Sequence, residues 1–214
     1  SISDAKSALA TESDDFLIDR NGDTGISGAA PTTVTFDFHH IMAKVAFFVK
    51  KSEDITEEIT IKSLKMTGWN AGLGNFTQNL TATPTTLEHS EWDIPTTEDG
   101  EASVISTGKV LTSTADSVNC STYIMVPQTI TYTAASAETP AKGLKFNIEY
   151  TIKYADNFVE TVNYETVVAS NQVWGTDSYT TYTLTIGAIA IDFDVTSICG
   201  FCNDGGDNTV PVQP

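Results

Sequence analysis

A chain of 214 residues can bury a full core, and its 40% of hydrophobic residues is ordinary for a folded protein. Its formal charge is −17, with 11 Lys+Arg against 28 Asp+Glu, and Arg20 is its one arginine. Such a chain lacks the basic footprint that a phosphate backbone requires and is repelled by anionic lipid, which argues against nucleic acid as a partner.

No apolar run approaches the ~20 residues of a membrane-spanning helix. Neither a signal-type apolar region nor a lipobox cysteine stands near Ser1. The expectation is a cytosolic protein or the processed form of an exported one. Cys120, Cys199 and Cys202 are odd in number and form no disulfide framework.

Residues 1–30 read as an arm, polar except for the clip Phe16-Leu17-Ile18. Its apolar content is too low to order it alone, so docking against this domain or a neighbour is expected. The stretch 34–49, VTFDFHHIMAKVAFFV, is the first core element. Val34, Phe36 and Phe38 alternate with polar residues, and Ile41, Ala43, Val45, Phe47 and Val49 alternate again. Residues 51–58 form a charged turn. Ile59 and Ile61 share one parity and Leu64 and Met66 the other, so a β-bulge is expected at Lys62-Ser63. Gly68 to Gly72 is read as a strand break, and residues 73–76 as a short edge strand.

Residues 81–100 are rich in Thr, Pro and acid and read as a surface loop anchored by Trp92. Strands return at 104–111 and 123–132, where Pro127 points to an edge or a bulge. Leu144, Phe146, Ile148, Tyr150, Ile152 and Tyr154 share one face, and Ala155-Asp156-Asn157 turns the chain into 158–168 as a hairpin. Tyr182, Leu184 and Ile186, then Ile189, Ile191, Phe193 and Val195, complete the pattern. The fold class is all-β: a β-sandwich of roughly nine to ten mostly antiparallel strands, without substantial helix. The division expected is an arm over 1–30, a sandwich over 31–202 and a tail over 203–214.

Few residues suggest chemistry. Cys199-Gly200-Phe201-Cys202 has redox-motif spacing, but a Gly-rich tail follows it where a helix is needed to lower the thiol pKa. His39, His40 and His89 with Cys120 have no zinc-ligand spacing. Asp19, Asn21, Asp23 and Gly25 resemble a calcium loop, yet Thr24 and Ala30 stand where Gly and a bidentate Glu belong. His39 and His40 project to opposite faces of a strand and cannot share a site. Asp192 and Asp194 lie on an outer face. No nucleophile elbow, Cys–His pair or HExxH helix occurs. No catalytic residue, metal or cofactor is therefore expected, and the chain is not read as an enzyme. Trp69, Trp92 and Trp174, read as exposed, are candidates for stacking on sugars, with loop anchoring the plainer reading.

Phe38-His39-His40-Ile41-Met42-Ala43-Lys44 resembles the F-x-H-x-x-A-K strand that opens the second half of the fimbrillin family of Bacteroidales, with His40 at the family histidine. Asp14-Asp15-Phe16-Leu17 is similar to the link into that half, and residues 61–68 to its next strand. Ile124-Met125-Val126-Pro127-Gln128 is similar to its "lliPQ" strand. Trp174 with Tyr179, Tyr182, Leu184 and Ile186 resembles its closing hairpin, although Tyr179 is one residue out of the usual spacing. The resemblance implies a transthyretin-like, Greek-key sandwich and a surface subunit exported as an outer-membrane lipoprotein. It further implies proteolytic maturation after arginine, for which Arg20 is the candidate, and assembly with other fimbrial subunits by strand exchange. A lipid-anchored monomeric adhesin, binding a host or bacterial surface protein or glycan, is the alternative.

Overall fold

A computed structural model describes residues 2–9, 16–19, 38–77, 91–105, 108–111, 118–187, 191–199 and 210–211. The arm supplies β1 (Ile2–Ala5), β2 (Ala8–Leu9) and β3 (Leu17–Asp19), and the opening stretch supplies β4 (Phe38–His40) and β5 (Ala43–Lys51). There follow β6 (Glu58–Asn70), β7 (Gly74–Phe76), β8 (Trp92–Asp93), β9 (Asp99–Ile105) and β10 (Lys109–Leu111). The second half contains β11 (Val118–Met125), β12 (Gln128–Ile130), β13 (Lys145–Lys153), β14 (Val159–Val167), β15 (Gln172–Trp174), β16 (Ser178–Ile186), β17 (Ile191–Cys199) and β18 (Val210–Pro211). No α-helix occurs among the described residues.

Two large sheets make the sandwich. A six-stranded sheet runs β18-β17-β16-β5-β11-β2, and a five-stranded one runs β10-β6-β13-β14 with β9 also on β6. β6 is thirteen residues long; β13 takes one edge while β9 and β10 divide the other. Among the described residues all strand pairings are antiparallel except that of β5 with β16.

The core follows from the alternation. Val45, Phe47 and Val49 on β5 and Tyr182, Leu184 and Ile186 on β16 meet Ile59, Ile61, Leu64 and Met66 on β6 and Phe146, Ile148 and Tyr150 on β13. Phe47 stacks on Tyr182 with ring centroids 5.5 Å apart and meets Phe146 edge-on at 5.9 Å. The bulge expected at Lys62-Ser63 is present. Tyr150 pairs with Ile61 and Glu149 with Ser63, so Lys62 is the extra residue that returns Leu64 and Met66 to the inside. The charged turn at 52–57 and the hairpin through Asn157, at φ 66°, also form as expected.

Several expectations need correcting. The opening stretch is two strands, broken at Ile41 and Met42, which are fully buried; residues 34–37 lie outside the described residues. β6 does not break at Gly68. It runs on to Asn70 because Gly68 takes a φ of 83°, and a Cβ there would collide with the Gly143 carbonyl. The strand expected at 104–111 is two separate strands against β6. Residues 73–76 yield β7, which is central in a three-stranded ribbon β1-β7-β8 and not an edge. Pro127 ends β11 and carries the chain to β12, which pairs with β15.

Candidate functional site

The most distinctive feature is the seat of the arm. Ile2 pairs with Phe76 and Ala5 with Gly74, while Ala8 and Leu9 pair with Ile124 and Tyr123 on the free side of β11. Between the two short pairings, Val126 N donates to Ser7 Oγ at 2.8 Å, so a serine side chain bridges the gap in the ladder. Asp4, at φ 59°, donates its N–H to Asn75 Oδ1 at 3.2 Å. Farther on, β3 pairs with β4, and Ile41 N donates to Phe16 O at 3.1 Å.

This seat has its own apolar floor. Strand alternation sends Tyr123 and Met125 into the main core and Ile124 to the opposite face of β11. There it joins Val126, Ile41, Met42, Phe76 and Trp92, capped from the arm by Ala5 and flanked by Ile2 and Phe16. Trp92 packs on Phe76 at 5.3 Å and donates Nε1–H to the Ile41 carbonyl at 2.9 Å. Gly74 permits the close approach, since a Cβ there would press on Val126 and Trp92. Without the arm, this floor and one edge each of β7 and β11 are left bare, an arrangement suited to accepting an extended strand.

The tryptophans are not exposed. Trp69 is 7%, Trp92 8% and Trp174 0% accessible, which corrects the premise on which sugar stacking rested. Trp69 lies against Trp174 at 6.2 Å on one side and against Gly100 on the other, where a Cβ would run into its ring. Trp92 stands in β8, paired with Phe76, where a surface loop over 81–100 was expected; residues 81–90 lie outside the described residues. A solvent-open groove of about 490 Å³ runs beside Trp69, lined by Asn70, Gln128 and Lys142 among others. The amides of Asn70 and Gln128 in it are engaged, whereas Trp69 Nε1 is buried without a hydrogen-bond partner. Gln128 accepts from Asn70 N at 2.9 Å and donates to Asn70 O at 3.0 Å, acting as a piece of strand made from a side chain. Asn70 Oδ1 in turn accepts from Gly72 N and Glu98 N. Sequence reasoning saw Gln128 only as part of a resemblance and missed this role, because an amide's partner across the fold leaves no local pattern.

Among the described residues the titratable groups do not converge on any reaction. Burial pushes the Cys120 thiol up to about 12, the reverse of a reactive cysteine. Burial also raises Tyr182, whose hydroxyl sits between Trp174 and Gln172. His39 Nδ1 lies 3.4 Å from Asp177 Oδ2, and Asp177 N donates to the Met42 carbonyl, so this contact ties β4 to the turn before β16. Asp192 and Asp194 are exposed, as expected. Among the described residues no three His, Cys, Asp or Glu side chains gather as metal ligands would. Arg20, Cys202 and all of the calcium-like stretch beyond Asp19 lie outside the described residues.

Comparison with known proteins adds a lineage. The family described as fimbrillin-like matches residues 3–198. No curated protein matches. Among solved structures, the chain is similar to a fimbrial protein from Bacteroides vulgatus, at 17% identity and a TM-score of 0.38, over 77% of this chain and 56% of that one. It is also similar to a candidate cell-adhesion protein from Bacteroides uniformis, at 11% identity and a TM-score of 0.38, over 77% of this chain and 53% of the other. The chain spans about half the length of each.

Proposed function

We infer that this chain, which belongs to the fimbrillin-like family, is a structural or adhesive subunit of a bacterial surface fimbria that assembles by strand donation. The observation that carries this reading is the seated arm. Its strands β1 and β2 already fill a groove floored by Phe76, Trp92, Ile124 and Val126, through main-chain pairing that any extended strand of small and apolar residues satisfies. All three arm strands precede Arg20 in sequence, so one cut there separates them from the sandwich. A neighbouring subunit's strand then takes their place. This assigns the protein to the cell surface after export, as an outer-membrane lipoprotein or fimbrial component whose partners are other subunits of the same or related chains. A non-enzymatic role is read from the fimbrillin-like family to which the chain belongs.

The reading of a monomeric adhesin that stacks sugars on Trp69, Trp92 and Trp174 has lost its support, since all three rings are covered. Digestion of the native protein with an arginine-specific protease cuts at one position, and electron microscopy then reads the outcome. Filaments should follow cleavage, and Arg20→Ala should prevent them. Dispersed monomers before and after cutting would defeat the strand-donation reading.

A further inference from the structure

β14 is the outer strand of the five-stranded sheet, and its long free edge has only Glu160 and Glu165 to oppose pairing. It is nine residues long, and its register with β13 is unbroken from Val159 to Val167. It contains no proline, no lysine and no bulge. Other sheet margins are short, interrupted or partly covered: β10 has three residues, β2 two, β9 shifts register twice along β6, and β18 covers β17 at Thr196 and Ser197. β14 is also well exposed, and Val159 and Tyr164 are 51% and 38% accessible.

Backbone parity shows which groups face out. Val168 N donates to Leu144 O and Tyr154 N to Phe158 O, so even-numbered residues of this strand turn their main-chain groups toward β13. The N–H and C=O groups of Val159, Thr161, Asn163, Glu165 and Val167 therefore point away from the sheet, and no described strand pairs with them.

The sequence of this strand, V-E-T-V-N-Y-E-T-V, carries the same Glu-Thr-Val run on either side of Asn163, so an antiparallel pairing about Asn163 sets each Glu against a Thr. We propose that β14 pairs antiparallel with β14 of a second copy of this chain, across a two-fold axis at Asn163, to join two five-stranded sheets into one. In that register Val159 faces Val167, Glu160 faces Thr166, Thr161 faces Glu165, Val162 faces Tyr164 and Asn163 faces itself. Every outward main-chain pair is matched, since odd residues meet odd residues. Neither Glu160 nor Glu165 meets a like charge, although each copy has a charge of −17. Val162 and Tyr164 lie on the core side, opposite Tyr150 and Ile148 of β13, so their meeting extends the buried layer across the junction. Shifting the centre to Val162 sets Val159 against Glu165, and shifting it to Tyr164 sets Thr161 against Val167. Only the register about Asn163 pairs all nine residues within the strand. The interface is self-complementary, as a closed two-fold dimer requires.

Sedimentation equilibrium of the full chain from micromolar to millimolar concentration tests this with two exposed substitutions. Thr161→Glu places Glu against Glu165 twice per dimer and should weaken association about tenfold; Thr161→Lys places Lys against Glu165 and should strengthen it by a similar factor. Added salt should strengthen the wild-type dimer as it screens the repulsion between two acidic copies. A wild-type protein that stays monomeric to millimolar concentration overturns the proposal. So does association that responds equally to both substitutions, which would mean a different register, a different surface or a different partner strand. Circular dichroism of each variant separates loss of pairing from loss of fold, and Asn163→Lys, on the axis itself, provides a second disruption if Thr161→Glu misfolds.

Discussion

Tyr182 accepts the indole N–H of Trp174 at 3.0 Å and donates its own proton to Gln172 Oε1 at 3.0 Å, with all three side chains buried. Tyr182→Phe keeps the ring that stacks on Phe47 but strands a donor on one side and an acceptor on the other. It should cost about 1–3 kcal/mol in urea unfolding at neutral pH. The pH dependence has a definite sign. Burial holds the folded-state pKa of this phenol above its unfolded value. As pH rises past about 10, the unfolded chain releases the proton while the folded one keeps it. The stabilising contribution is complete below that pH and is lost as the folded value is approached. Wild-type stability should therefore fall more steeply than that of Tyr182→Phe between pH 9 and pH 11; parallel curves would show that Tyr182 does not govern the alkaline limb. The hydrogen-bonded chain was not legible beforehand, since Tyr182 showed only as an inward position and as part of a resemblance.

Among the elements, β6 shows how a strand absorbs a single inserted residue. Lys62 is exposed and pairs with nothing on β13, and the bulge that sets it aside keeps the residues after it in phase. Deleting it would leave Ile61, Ser63 and Leu64 in unbroken alternation, with Leu64 and Met66 still inward and the ladder with β13 regular. Urea unfolding of that deletion should therefore stay cooperative, and Lys62→Ala should shift stability by no more than ~0.5 kcal/mol. The bulge could be read in advance because a parity change is a local signal. So could the β13–β14 hairpin, where unbroken alternation meets a turn sequence. Partnerships between distant strands were not readable: nothing in residues 43–51 announces that β16 lies beside them and runs parallel. The exposure of Trp69 was misjudged for the same reason. Its glycine and asparagine neighbours suggested a loop, but Gly68 bends a continuing strand, and Gly100 and Trp174 cover the ring from elsewhere in the chain.

At the scale of the molecule, acidity and topology act together. The charge of −17 is spread over a small fold, and its self-repulsion opposes compaction. Raising the salt concentration from about 10 mM to about 500 mM should increase the melting temperature, because the Debye length shrinks from roughly 30 Å to a few Å; a melting temperature that does not move would mean the charges are already well compensated. The parallel pairing of β5 with β16 has a further consequence, one of timing. β5 is among the first core strands to be synthesised and β16 among the last, yet they lie side by side at the centre of the six-stranded sheet. A growing chain therefore cannot close that sheet until nearly all of it has emerged, and contacts so distant in sequence make folding slow. For the exported subunit proposed above, this delay is useful: the strand order itself keeps the chain threadable until its far end arrives.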